Sequence, residues 1–263
     1  MKTKIYVACH NSLPTFEGDI LVPIQVGKSL SAINLDILGD NSGDNISELN
    51  PHFCELTALY WIWKNGVTNS DYIGLYHYRR FFLEPKFRQA LVSTIKKYKY
   101  LVKNNLFFDC DYFSAGDPLI SSASFERLKL DSYDMILPRK YFVTKNVMDD
   151  FCRNHLKDDL DTMRCIVLDK YYDWLDAFDL VMESNYLYPF NMFILKSELY
   201  CEFCSWLFPI LFEVYAKIDV SNRDVYQSRV CGFLSERLFT VFITKKLMMN
   251  PHIKIKELFV IKK

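Results

Sequence analysis

The sequence is short of the features that mark several large functional classes. Only 8 of its 263 residues are glycine. Neither a P-loop nor a Gly-x-Gly-x-x-Gly turn occurs, so a bound phosphate would have to be held by side chains rather than by a glycine-rich loop. Neither charge is in excess: 32 Lys and Arg balance 32 Asp and Glu, which leaves a nucleic-acid partner without an electrostatic footprint. No apolar run approaches the roughly 20 residues that cross a bilayer. The opening Met1-Lys-Thr-Lys-Ile-Tyr-Val-Ala-Cys runs straight into a strand, with too short an apolar stretch for a signal peptide. A cytoplasmic protein is expected. Repeats and low-complexity tracts are missing as well, and with 50% hydrophobic and 16% aromatic residues the chain is not disordered.

The eight cysteines sit mostly inside apolar segments, as buried free thiols do. Cys201-Glu-Phe-Cys204 has CxxC spacing, but no second pair follows and its surroundings read as an amphipathic helix, so core packing is favoured over zinc or redox chemistry.

The most informative stretch is residues 40–82. The loop Asp40-Asn41-Ser42-Gly43-Asp44-Asn45 is built from residues that tolerate left-handed backbone or bond their own chain, and should turn tightly. Asn50 is placed to cap a helix beginning at Pro51, with Phe53, Leu56, Tyr60 and Trp63 on one face and an end near Asn65-Gly66. Tyr72-Ile-Gly-Leu-Tyr76 is apolar without alternation, the mark of a strand covered on both faces. His77, Arg79 and Arg80 follow its carboxyl end.

Further strands are expected at residues 4–9, 134–138, 188–195 and, as a lysine-rich terminal edge, 253–261. Helices are expected at 145–155, 158–170, 173–183, 197–215 and 223–245. Short strands alternating with helices predict an α/β fold, a Rossmann-type mainly parallel sheet flanked by helices with a helical C-terminal part. The whole chain reads as one domain. Residues 84–128 are read as an excursion carrying helix and loop.

Ligands in such sheets bind beyond the carboxyl ends of the strands. Those ends carry His10 and Asn11, then His77 to Arg80, then Arg139. Arginines and histidines without a glycine loop suit an anionic ligand such as a nucleotide diphosphate. Flanked by Tyr78, Phe81 and Phe82, Arg79 and Arg80 are read as phosphate ligands rather than surface ion-pair residues. His77 serves either structure or ligand. Glu55 either favours the helix dipole or points to the arginines. Asp158 and Asp161 have capping-box spacing, which leaves Asp159 with His155 as a candidate acid–base pair. Arg229, Gly232 and Glu236 form a stripe on the last helix. Gly232 would weaken a helix unless something approaches closely there, and Glu236 is read as facing the site.

Several of these segments, Asp44-Asn-Ile-Ser, Glu55-Leu-Thr-Ala-Leu-Tyr-Trp-Ile-Trp-Lys-Asn, Gly74-Leu-Tyr-His-Tyr-Arg-Arg, Asn191-Met-Phe-Ile-Leu-Lys and Gly232-Phe-Leu-Ser-Glu-Arg-Leu, resemble in that order the uncharacterised-domain family numbered 4422. The resemblance implies a GT-A-like glycosyltransferase of bacterial capsular, exopolysaccharide or O-antigen synthesis, with a nucleotide-binding half at residues 1–140 and an acceptor half at 141–263, moving a hexose, galactose among the candidates, from a UDP-sugar to a lipid-linked glycan. It further implies that His10, Gln25, Asp44 and Asn45 hold the nucleoside and that Tyr188-Pro-Phe-Asn191-Met192 lines the sugars. GT-A enzymes usually carry Asp-x-Asp for a divalent cation, whereas the equivalent segment here is Tyr76-His77-Tyr78-Arg79. Arg79 and Arg80 would then neutralise the leaving diphosphate, Mn2+ or Mg2+ would not be essential, and Asp109 and Asp111 are the fallback metal pair. Glu236, Asp159 and Asp134 are the candidate bases, in that order. Residues 96–100 form either a solvated helix face or a basic, aromatic membrane contact. The alternative to an enzyme is a non-catalytic nucleotide- or carbohydrate-binding subunit of a polysaccharide assembly complex.

Overall fold

The computed structural model describes residues 2–67, 69–84 and 117–262. Among these, nine strands join in one sheet: β1 (Thr3–Cys9), β2 (Leu21–Gln25), β3 (Leu38–Gly39), β4 (Tyr72–His77), β5 (Arg80–Phe82), β6 (Met135–Pro138), β9 (Phe193–Lys196), β10 (Ile255–Leu258) and β11 (Val260–Lys262). Two short strands, β7 (Tyr141–Phe142) and β8 (Tyr186–Leu187), pair separately. The main path runs β10-β6-β9-β4-β1-β2-β3, with β5 and β11 added beside β4. The β1, β2, β3 and β4 strands are mutually parallel, as are β6 and β10, while β9 runs antiparallel to both of its neighbours. Two parallel blocks are thus joined through one reversed strand, and their carboxyl ends share one edge.

Alternation along the central strands sorts side chains onto the two faces. Tyr6 and Ala8 of β1 and Ile73 and Leu75 of β4 enter the larger core cluster, whereas Ile5, Val7 and Cys9 with Tyr72 and Tyr76 enter the smaller one. Both faces are covered, which is why β4 reads as an uninterrupted apolar run.

The larger cluster is covered by α1 (Asn50–Phe53), α2 (Leu56–Trp61), α4 (Val147–Asn154), α5 (Lys157–Lys170), α6 (Leu175–Glu183), α7 (Ser197–Lys217) and α8 (Val230–Met249), and the smaller by α3 (Ser122–Arg127). Among the described residues, α7 is a helix long and apolar enough to cross a membrane, with a mean hydropathy of 1.2, contrary to the expectation that no such stretch exists. Tyr200, Phe203, Cys204 and Leu207 of α7 lie in the core, so interior packing accounts for its apolar character.

Several local expectations change. Asn50 does not cap a helix; it lies within α1, and its amide donates to the Cys54 carbonyl (2.7 Å) and to Thr57 Oγ1 (3.1 Å) across a break in the chain. Asp158 and Asp161 are not caps either: α5 follows Leu156 without a side-chain cap, and Asp161 pairs with Lys157. Residues 188–192 form a turn ahead of β9, and the terminal edge is two strands instead of one. The last helix starts at Val230, because the chain from 218 to 229 forms a loop and one 3-10 turn. The segments 96–100 and 109–111 lie outside the described residues.

Candidate functional site

Three irregular pieces of backbone meet at the carboxyl end of β4. The first is the tight turn Tyr78-Arg79 between β4 and β5, across which His77 and Arg80 are paired. Cross-strand partners project to the same side. His77 and Arg80 accordingly line a common pocket, while Arg79 at the tip is exposed, its guanidinium 4.6 Å from the Tyr78 ring.

The second piece is the break between α1 and α2. Cys54 has φ 53° and ψ −131°, a conformation that costs a non-glycine residue on the order of 1–3 kcal/mol and persists only when its surroundings fix it. The backbone of α8 passes against it: a Cβ on Gly232 would stand 3.3 Å from Cys54 Sγ. The break sets Glu55 at the mouth of α2, facing the sheet edge.

The third is the turn before β9, where Phe190 (φ 77°) and Asn191 (φ 49°) are both left-handed. Each is tied down. The Phe190 amide donates to Glu236 Oε1 (2.7 Å), and His77 Nε2 donates to the Phe190 carbonyl (2.6 Å). Asn191 Nδ2 donates to Glu55 Oε1 (2.7 Å) and to the Gly232 carbonyl (3.2 Å), and the Ser235 hydroxyl donates to Asn191 Oδ1 (2.9 Å).

Together they enclose a pocket of about 160 Å³ whose walls include Glu55, His77, Arg80, Phe190, Arg229 and Glu236. Burial lowers the basicity of His77, although Glu55 opposes the shift. The ring is therefore neutral at pH 7. Since the Phe190 carbonyl can only accept, Nε2 carries the proton and Nδ1 keeps its lone pair. Burial pushes the Glu236 carboxyl up, against the pull of Arg237 and of the Phe190 amide. The Cys54 thiol is raised to about 11, by burial and then by Glu55, so it stays protonated beside Arg229, whose Nε donates to the sulfur at 3.2 Å. Among the described residues neither Arg80 nor Arg229 has an ion-pair partner. Arg80 instead lies 4.7 Å from the Phe190 ring.

A divalent cation fits this set poorly. Both Glu236 oxygens are occupied, by the Phe190 amide and by Arg237 Nη1 (3.2 Å), and two guanidiniums share the space. Among the described residues no group of three or more His, Cys, Asp or Glu could hold a metal ion. Two cations facing two carboxylates and a neutral imidazole can instead receive a polyanion and accept a proton.

Glu55, His77, Arg80 and Glu236 are brought together, with Asn191 directly behind them. Others lie apart. Asp159 is buried and binds Arg223 through both oxygens (2.6 and 2.8 Å), so it does not reach the pocket, and His155 stacks on Phe233 at 4.0 Å. Asp134 precedes β6 at the opposite edge of the sheet, paired with Lys196 at 2.7 Å and accepting from the Lys254 amide. Gln25 is fully buried, and its amide is spent on Ser31, Ile33 and Leu35. Asp44 accepts from the Tyr60 hydroxyl and Asn45 closes a turn onto Ser47. His10 is exposed just beyond β1, Tyr78 is half-buried, and Met192 is buried in the smaller cluster. Arg139 lies 3.7 Å from the Phe259 ring. Sequence reasoning did not place Arg229 or Cys54 in the site, and it took Phe190 only as part of the segment 188–192. The Arg229-Gly232-Glu236 stripe held the signal for the first, whereas nothing local marks Cys54.

No curated protein matches the chain. The solved apo structure of WbbM, a bifunctional glycosyltransferase, superposes with a TM-score of 0.83 at 27% identity, covering 100% of this chain and 45% of that one. The chain thus spans less than half of that protein. The profile described as "Domain of unknown function (DUF4422)" matches residues 4–247, and the protein belongs to that family.

Proposed function

We propose that the protein is a glycosyltransferase that moves a hexose, galactose among the candidates, from a UDP-sugar to a growing lipid-linked surface polysaccharide at the cytoplasmic face of the membrane. The observation that carries this reading is the pair of guanidiniums, Arg80 and Arg229, without ion-pair partners among the described residues, in one pocket with two carboxylates. The likeness to WbbM supports it.

In this mechanism the donor diphosphate lies against Arg80 and Arg229, while Arg79 stays at the exposed hairpin tip, outside the pocket. Fixed positive charge at a leaving group lowers the barrier most when it is preorganised in a partly dry site. The arginines do here what a cation does elsewhere, so no step passes through a metal. The nucleoside extends toward His10 and the 40–45 loop, shaped from behind by Gln25, Asp44 and Asn45. The sugar rests on the Phe190-Asn191 turn. A carboxylate of the Glu55 and Glu236 pair takes the proton from the acceptor hydroxyl as it attacks the anomeric carbon.

The test is UDP release from a panel of UDP-hexoses, with EDTA or with manganese. Turnover that survives EDTA is expected. Binding of UDP-sugars with no UDP release under either condition would make the protein a binding subunit instead.

A further inference from the structure

Two carboxylates share the pocket, and their hydrogen bonds are not equivalent. Glu236 is committed on both oxygens: Oε1 accepts from the Phe190 amide at 2.7 Å and Oε2 from Arg237 Nη1 at 3.2 Å. Arg237 is itself buried and also holds Asp150 at 3.0 Å. These contacts fix a left-handed residue. They leave little lone-pair capacity for a substrate proton.

Glu55 is held differently. Its Oε1 accepts from Asn191 Nδ2 at 2.7 Å, and its Oε2 has no hydrogen bond or ion pair among the described residues and is not among their enclosed, unpartnered atoms. The residue lines the pocket. Asn191 cannot turn its amide over. Its Nδ2 faces two acceptors, Glu55 Oε1 and the Gly232 carbonyl, and its Oδ1 receives the Ser235 hydroxyl. A buried amide locked by three bonds therefore presents an N–H to one oxygen of Glu55 and aims the other at the cavity. The strained backbone at Cys54 immediately precedes Glu55, and it persists where Gly232 gives it room. Such strain is held in place only when the surroundings dictate a position.

We infer that Glu55 is the catalytic carboxylate of this pocket, and that Asn191 and Glu236 are positioning residues that orient it and the turn beneath the sugar. The inference rests on the glycosyltransferase reading above. In the step, the acceptor oxygen forms a bond to the anomeric carbon and its proton passes to Glu55 Oε2. The bond from the anomeric carbon to the diphosphate oxygen breaks, with the electron pair leaving on the diphosphate between Arg80 and Arg229. With water as acceptor, the same step releases free sugar and UDP.

The experiment compares wild type, Glu55→Gln, Glu55→Asp and Glu236→Gln as full chains. It uses UDP release from UDP-galactose and UDP-glucose, UDP affinity, and melting temperature as the check on folding. Glu55→Gln should lose about 100-fold or more in kcat, the usual worth of a positioned base, while UDP affinity changes less than about threefold. Glu55→Asp should recover part of the loss. Glu236→Gln keeps an acceptor for the Phe190 amide and should lose no more than about tenfold.

The pH profile separates the roles further. Glu55 is faced by His77 from β4, Arg80 from β5, Cys54 from its own segment, and Arg229 and Glu236 from the α8 side. Loss of the acidic limb of the kcat profile in Glu55→Gln, and its retention in Glu236→Gln, is the expected pattern. Normal turnover by folded Glu55→Gln, or an equal loss in Glu236→Gln, overturns the assignment while the glycosyltransferase reading stands. A wild type that releases no UDP from any donor overturns both.

Discussion

Arginine plays two parts in this molecule. Arg223, in the loop before α8, is sealed in a bidentate pair with Asp159, with side chains 10% and 3% exposed. Arg80 and Arg229, at the sheet edge, rest on an aromatic ring and a thiol, with no carboxylate bound to them among the described residues. The first arrangement is complete within the chain and joins α5 to the incoming loop. The second makes no direct ion pair among the described residues, and it lies beside three residues in costly backbone conformations. Completed charge belongs to the architecture, and charge left open beside strain belongs to the ligand.

Asp159→Ala tests the closed pair. It strands a buried guanidinium and should cost about 3–5 kcal/mol of stability, read by chemical denaturation, with turnover per folded molecule little changed. If turnover fell while stability held, Asp159 would belong to the site after all. Arg80→Ala tests the open pair and should do the reverse. About 3 kcal/mol of transition-state stabilisation is lost, judged from kcat/KM, with the unfolding midpoint nearly unmoved. Arg80→Lys should recover only part of this, since an ammonium cannot present two parallel N–H groups to a phosphate.

Cys54→Gly separates strain from chemistry. Relief of the positive φ should stabilise the fold by about 1 kcal/mol, while turnover falls because Glu55 loses its fixed approach and Arg229 loses the thiol. A gain in both would show that the strain has no bearing on activity.

The smallest effect concerns His155, which stacks between Tyr226 and Phe233, with its basicity lowered to about 4 by burial and then by Arg237. The folded ring resists a proton that the unfolded chain accepts near its ordinary value of 6.5. Its contribution is therefore complete above pH 6.5 and is lost as pH falls toward about 4. His155→Phe should flatten that stretch of the stability profile. It also removes a buried ring nitrogen, Nδ1, that has no hydrogen-bond partner among the described residues.

Much of this fold could be read from the sequence because its strands and helices answer to local periodicity. The β4 strand, α5, α6 and α7 fall close to the expected spans, since burial on both faces of a strand or one face of a helix imprints itself on neighbouring residues. The site is a different case. His77 and Arg80 were within reach because they follow a buried strand, yet a two-residue turn decides that Arg80 enters the pocket and Arg79 does not. The segment around Phe190 and Asn191 reads as strand because its residues are apolar. It turns because partners 46 and 136 positions away hold it, and no local pattern carries that information. Asp159 had the composition of a surface acid until Arg223, 64 residues on, enclosed it.

The reversed direction of β9 has a consequence for how such proteins diversify. Parallel neighbours deliver their last residues to the working edge, whereas a strand laid the other way delivers its first. The pocket turn can thus change upstream of β9, between Tyr188 and Met192, without disturbing the pairing of β9 with β4 and β6. A differently shaped pocket would arise from five residues grafted ahead of an unchanged strand.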